Sequence, residues 1–247
     1  MEKISSIEDL LNAVREAVGR FGETWWRGQP AGKHLIPGAY RNGASPRMER
    51  LRLKRFMQKV ATRYQEVPGS EEYAEWLFLM QHHRLPTRLL DWTESPLIAC
   101  FFAVLGHRES DACLWALGPI GLNLSQFPNE FLGQGLARPD DLRNFLEMPF
   151  GEEESDNPGF QRIVAVLTPE TNVRMLQQQS AFTLHGTRTP LDELPESHLF
   201  LKSFMIPAAA RDGLAKNLLW LGIRESSLFP DLDHLAAETT RLIGPTA

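Results

Sequence analysis

Apolar residues along this chain fall into runs whose spacing switches between the period of a helix and that of a strand. Ser6 suits an N-cap, with Asp9 three residues on, and Ile7, Leu10, Leu11, Val14, Ala17 and Val18 then trace one helical stripe. Gly19 and Gly22 close that helix, and 24–28 reads as a short strand. Residues 30–46, rich in Pro, Gly and Asn, make a loop tied down by Leu35-Ile36-Pro37. Helical spacing returns over 46–65 through Met48, Leu51, Phe56 and Val60. It returns again over 71–83, where Trp76, Leu77 and Met80 face the core. Pro86 breaks this helix, because proline lacks a donor and restricts the residue before it. Residues 87–92 then form a short strand or an extended turn, and Thr93 or Ser95 caps a helix starting at Pro96.

Further on, 113–117 and 163–167 are strand segments separated by a long, weakly periodic region. That region holds the acidic loop 151–156, which reads as a solvated surface or a mobile lid. A short helix or turn over 169–178, strands at 182–185 and 199–206, and helices over 207–222 and 231–242 complete the chain. No repeat interrupts the series. The pattern predicts one α+β domain over 1–247, with a small mixed or antiparallel sheet flanked by helices.

Composition narrows the functional classes. The 247 residues carry a net charge of −5, which argues against a mainly electrostatic nucleic-acid binder but leaves room for a local basic cleft. Cys100 and Cys113 sit in apolar runs, as buried free thiols of a reducing compartment do. The chain begins without a basic-then-apolar signal pattern, and its longest apolar run, 97–105, is too short to span a bilayer. A cytoplasmic protein without membrane contact is the expectation.

The chemistry concentrates in two places. Residues 81–93 place Gln81, His82, Thr87, Arg88, Asp91 and Thr93 between strongly apolar flanks. A buried charge must be paired or face a ligand. Arg88 and Asp91 therefore form either a mutual ion pair across a turn or part of a polar site. The turn also delivers them to the N-terminus of the next helix, a place that favours anions. Near the start, Trp25-Trp26-Arg27-Gly28-Gln29 puts a guanidinium beside two indoles, with a glycine that lets a backbone or ligand approach closely. Trp25, Trp26, Trp92 and Trp220 read as core residues. His82 and His185 read either as hydrogen-bonded core histidines or as donors facing the same cleft. His82 and His83 point about 100° apart on a helix, and no metal-ligand spacing supports a metal.

Trp26-Arg27-Gly28-Gln29, Gln81-His82, the stretches 85–93 and 99–103, Arg174 with Gln178, Phe182-Thr183, and 222–223 with 228–232 together resemble the FRG domain of prokaryotic proteins. The resemblance covers about 20–235. It departs from the family pattern at Arg84 and Ser180, where glycine is expected. The layout of FRG domains is in turn similar to that of ADP-ribosyltransferases. This resemblance implies an early-strand Arg27 holding nucleotide phosphates and a polar strand, Arg88 to Thr93, running into a helix. A late catalytic position falls on Gln178, which is not an acid. It further implies NAD as a substrate, a macromolecular acceptor, and a setting in toxin or phage-defence systems. Asp91, His82 and Gln178 are then the catalytic candidates. Arg27, Gly28, Gln29, Gln81, Thr87, Arg88, Thr93 and His185 are the binding ones. The outcome is an ADP-ribosyltransferase, an NAD glycohydrolase, or nucleotide binding without turnover. The contrasting reading is a noncatalytic nucleic-acid- or protein-binding module built on Arg41, Arg47, Arg50, Arg52, Lys54 and Arg55, whose plain alternative is a solvated helix face.

Overall fold

The computed structural model describes residues 1–43, 46–64, 67–106, 109–128, 135–142, 161–167 and 173–243, so the acidic loop 151–156 lies outside the described residues. Seven strands form one mixed sheet: β1 (Glu2–Lys3), β2 (Trp25–Pro30), β3 (Leu89–Thr93), β4 (Ala112–Leu117), β5 (Ile163–Val166), β6 (Ser180–His185) and β7 (Leu201–Ile206). Their spatial order is β1-β7-β4-β2-β3-β6-β5. All neighbours are antiparallel except β1, which pairs parallel with β7.

Helices cover the sheet in two blocks on one face. Helix α1 (Ile7–Phe21) begins in a Ser6–Asp9 capping box, and α4 (Pro96–Val104) begins under a Ser95 cap with proline in its first turn. These two, with the Ala208–Trp220 helix, bury Trp26 of β2 together with Leu114 of β4 and Phe204 of β7. Helices α2 (Pro46–Val60) and α3 (Tyr73–His82) cover the other half, packing Leu53, Trp76 and Met80 against Leu89, Phe182 and Leu184. The second face packs Trp25, Leu90, Trp92 and Ile163 under α5 (Pro119–Gln126) and the turn around Phe200. Alternation along β2 thus sends Trp25 and Trp26 into different cores.

Most expected elements are present, with instructive differences. Gly19 lies inside α1, and Gly22 caps it with a positive φ of 72°. Helix α2 ends at Val60 and turns one charged residue, Glu49, inward. Glu49 and Leu53 are buried, while Met48 and Leu51, expected in the core stripe, are 45% and 52% exposed. The reason is a single buried ion pair, described below, that fixes the helix's rotation. Leu11 and Val18 of α1 are likewise exposed, because Leu10, Ala13 and Ala17 make the inner stripe. Helix α5 lies in the stretch read as weakly periodic, and 197–200 is a helical turn ahead of β7. Trp220, expected in the core, is 70% exposed, with the Lys216 ammonium over its ring. Both cysteines are buried and free, and burial pushes each thiol up to about 12. Among the described residues, no helix is long and apolar enough to cross a membrane.

Candidate functional site

Strands β2 and β3 are neighbours in the sheet but pair at one position, Trp26 opposite Thr93. Beyond it they part, whereas β2 stays in register with β4 over six residues and β3 with β6 over five. A divergence inside a sheet leaves backbone groups without their ladder partners. Here the Arg27 guanidinium fills that role, with Nη1 donating to the Asp91 carbonyl at 2.6 Å. The gap opens into a cleft of about 1190 Å³, above the range of roughly 300–1,000 Å³ usual for small-molecule sites.

Each wall has a local cause. Gly28 follows Arg27 because α4 crosses β2 at that point: a Cβ there would come within 1.9 Å of the Ala99 carbonyl and 2.8 Å of the Ala103 side chain. The close approach that glycine permits is therefore to a helix backbone. It also sets α4 alongside the cleft, to which the helix offers Ala99 and Phe102 from its flank. Its N-terminus, expected to face an anion, instead has Ile98 N bonded to the Ser95 hydroxyl. The opposite wall comes from the end of α3 and from β3, as Gln81, Arg84, Leu85, Leu89, Asp91 and Thr93.

A polar chain crosses the floor. The Thr87 hydroxyl donates to Gln81 Oε1 at 2.6 Å, and Gln81 Nε2 donates to Asp91 Oδ1 at 2.8 Å. Asp91 Oδ2 lies 3.9 Å from Arg27 Nη1. On the other side Arg27 Nε donates to Gln29 Oε1, and Gln29 Nε2 to the Lys33 carbonyl at 2.6 Å. Glutamines 29 and 81 thus act as spacers that orient the two charges. Burial holds the Arg27 guanidinium below its ordinary range, Asp91 opposes that, and Arg41 adds to it. The charge balance of the lining is one-sided: Arg27, Lys33, Arg41, Arg84 and Arg174 stand against a single carboxylate, Asp91.

The structure brings together Arg27, Gly28, Gln29, Gln81, Asp91, Thr93 and Gln178 around this cleft. Gln178 is tied at both ends, its carbonyl accepting from the Thr93 hydroxyl and its Nε2 donating to the Leu228 carbonyl. His82 opens instead onto a neighbouring cavity, with His83, Arg84 and Arg174. Thr87, Arg88 and His185 lie beneath the lining, all buried. Arg88 and Asp91 do not pair with each other. Asp91 lies within β3 and lines the cleft, whereas Arg88 stands at the bend just before the strand and is buried. Arg88 meets Glu49, with Nε and Nη2 each 2.6 Å from Oε2, while Oε1 accepts from the Arg88 backbone N–H at 2.7 Å. Burial lowers the affinity of Arg88 for its proton, but Glu49 and Tyr40 together raise it above the ordinary range. Glu49 escaped the sequence reading because it stands among Arg47, Arg50 and Arg52, where a solvated helix face is the plain expectation.

His185 sits at the end of a second buried chain. Trp92 Nε1 donates to the Thr183 hydroxyl, which lies 2.9 Å from His185 Nε2. Its Nδ1 has no hydrogen-bond partner among the described residues. Burial, with Arg27 nearby, pushes the imidazole down to about 3, so the ring is neutral. Lys33, Arg41, Arg84 and Arg174 line the cleft although none of them was among the candidate site residues. The loop 30–46 carried no periodic signal to place the first two.

Comparison with known proteins agrees in part with the resemblance. The family model of the FRG domain matches residues 22–112, a span running from the turn before β2 to the first residue of β4. It takes in Arg27, Gly28, Gln29, Gln81 and Asp91, whereas Arg174 and Gln178 lie beyond it. No curated protein and no solved structure matches the chain.

Proposed function

We propose that the β2–β3 cleft binds a nucleotide through its phosphates and consumes NAD as an ADP-ribosyltransferase-like enzyme acting on a macromolecule. The observation that carries this reading is the charge of the lining, five cations around one carboxylate at a split in the sheet. Such a surface favours a ligand with several negative charges and disfavours a cationic or neutral one. Arg27 is the anchor. Its donors are held in a fixed fork by the Asp91 carbonyl and Gln29, so little side-chain entropy remains to be lost on binding. The apolar wall of Ala99 and Phe102 gives a base or nicotinamide ring a surface to lie on.

The layout implied by the resemblance supports the catalytic part. Arg27 on an early strand, Asp91 on a polar strand running into α4, and Gln178 ahead of β6 all border the same space. Gln178 carries no charge, so the electrostatic role falls to Asp91, which Gln81 orients. As the bond from ribose C1′ to the nicotinamide nitrogen breaks, its electron pair leaves with neutral nicotinamide and positive charge builds on the ribose. The Asp91 carboxylate stabilises that charge. Water or an acceptor hydroxyl then bonds to C1′ and releases its proton to solvent.

Incubation of the purified protein with labelled NAD, alone and with cell extract, tests the reading. Nicotinamide release or a labelled macromolecule is the expected result. Asp91→Asn then leaves NAD affinity nearly unchanged and cuts turnover about a hundredfold or more. Arg27→Ala weakens NAD binding about tenfold or more in a folded protein. Binding without release or transfer would leave a nucleotide-binding module. No binding at all would remove the nucleotide reading.

A further inference from the structure

Arg84 occupies a backbone conformation that glycine fills without strain. Its φ is 62°, and it directly follows the C-cap of α3. The chain there closes a Schellman turn: Leu85 N bonds Met80 O, and Arg84 N bonds Gln81 O. Arginine in the left-handed region is uncommon, and a retained strain of this kind points to a use for the side chain. The resemblance also expected glycine here.

That side chain stands where two cavities meet. A second cavity of about 520 Å³, lined by His82, His83, Arg84, Val173, Arg174, Pro230 and Asp231, shares Arg84 and Arg174 with the main cleft. Arg174 is fixed with its guanidinium 4.9 Å from the centre of the Phe229 ring. Burial and the proximity of Arg84 hold its charge below the ordinary range, while Asp91 and Asp231 oppose that. Neither arginine has a salt bridge among the described residues. The one acid in this lining, Asp231, is engaged by His234, whose backbone N–H and ring nitrogen lie 2.9 and 2.6 Å from Oδ1. Two guanidiniums held beside each other repel, and an anion lying between them relieves that repulsion.

We propose that Arg84 and Arg174 form a second phosphate subsite, and that the ligand of the cleft carries a further phosphate group that reaches it. The inference rests on the nucleotide reading of the cleft and specifies its substrate class: a phosphorylated dinucleotide-type ligand, with one anionic group at Arg27 and another between Arg84 and Arg174. The strain at Arg84 is then retained because a glycine would be better for the turn and useless for the phosphate.

The test compares ADP-ribose with ADP-ribose 2′-phosphate by calorimetry, with inorganic pyrophosphate as a third probe. Wild-type protein is expected to bind the phosphorylated probe about tenfold or more tightly than ADP-ribose. Arg84→Gly and Arg174→Gln each bring the ratio of the two affinities close to one. Arg84→Gly also raises the melting temperature by about 2–4 °C, because it relieves the turn. A variant that is more stable and yet loses the phosphate preference separates binding from folding. Equal affinity of wild type for both probes overturns the proposal while leaving the nucleotide reading intact. If neither nucleotide binds, that reading fails, and pyrophosphate still decides the subsite. Binding lost in Arg84→Gly supports it, and pyrophosphate binding that is absent or unchanged in the variant overturns it. Tight binding of a single-stranded oligonucleotide, with no preference between the small probes, also overturns it.

Discussion

The short stretch from Arg88 through β3 carries two arginine–carboxylate contacts, one buried and one in the cleft, and the two differ in almost every physical respect. On the buried face Arg88 and Glu49 are 3% and 0% exposed, linked by several short hydrogen bonds. On the cleft face Arg27 and Asp91 are 17% and 58% exposed, and their charges stand 3.9 Å apart. The first contact satisfies its own charges. The second leaves a carboxylate facing solvent and a guanidinium bound mainly to a carbonyl, so both retain capacity for a ligand. Charge density alone does not distinguish a site from a scaffold; what matters is how completely each charge is satisfied by the protein itself.

The largest effect expected from this contrast is on the buried side. Glu49→Ala removes the carboxylate that faces the buried Arg88 guanidinium, and breaking a buried pair in this way costs about 3–5 kcal/mol. For a domain of this size that lowers the melting temperature by roughly 6–20 °C. Thermal unfolding followed by circular dichroism measures it. A variant melting within a degree or two of the parent would show that α2 is not held by this pair, and the explanation of its rotation would fall with it.

That pair also marks the limit of what the residues disclose. Boundaries governed by local chemistry were legible: the Ser6 capping box, the break at Pro86, and the Ser95–Pro96 start of α4. The convergence of Arg27, Gln81 and Asp91 was legible too, since each brings polar groups out of an apolar run. Glu49 was not, because its partner lies 39 positions away and nothing in its neighbourhood distinguishes it from a solvated glutamate. β1 escaped for a similar reason. Two residues carry no period, and they become a strand only by pairing with β7 about two hundred residues later. The pairing of Arg88 with Asp91 failed because Arg88, at the bend ahead of β3, is buried and meets Glu49 there, while Asp91 lines the cleft. The cationic lining was half legible. Arg27 and Arg174 stand within quoted motifs, but Lys33 and Arg41 reach the cleft from a loop whose course is set by tertiary contacts such as Leu35 N to Asp192 and Ala39 N to Thr87.

A smaller effect on the buried side concerns pH. His185 has a folded value of about 3 against an ordinary 6.5 for histidine. Above about 6.5 the ring is neutral in both states and contributes no penalty. As pH falls below that, the unfolded chain takes up a proton that the folded one refuses, so stability is lost progressively down to about 3. The slope approaches roughly 1.4 kcal/mol per pH unit, or about 2 kcal/mol by pH 5. Urea unfolding at pH 7 and pH 5 isolates this contribution when wild type is compared with His185→Gln. The variant is expected to lose less stability between the two pH values. Identical losses would mean that the imidazole is accommodated as a cation, and the Trp92–Thr183–His185 chain would have to be redrawn around a charged ring.

The smallest stability effect belongs to the cleft face, and its smallness is what gives it force. Asp91→Asn removes a charge that is more than half exposed and 3.9 Å from its partner, a contact worth about 0–1 kcal/mol. The asparagine carbonyl still accepts from Gln81 Nε2, and the Asp91 backbone carbonyl still accepts from Arg27. Unfolding in urea should therefore shift by less than about 1 kcal/mol, and what little is lost should shrink further at high salt. Set beside Glu49→Ala, this result would separate the two contacts by their energetics, with one holding the fold and the other facing the cleft. A loss approaching that of Glu49→Ala would place Asp91 in the scaffold. Loss of turnover in the same variant would then report damage to the cleft wall, and the electrostatic role assigned to Asp91 would have to be given up.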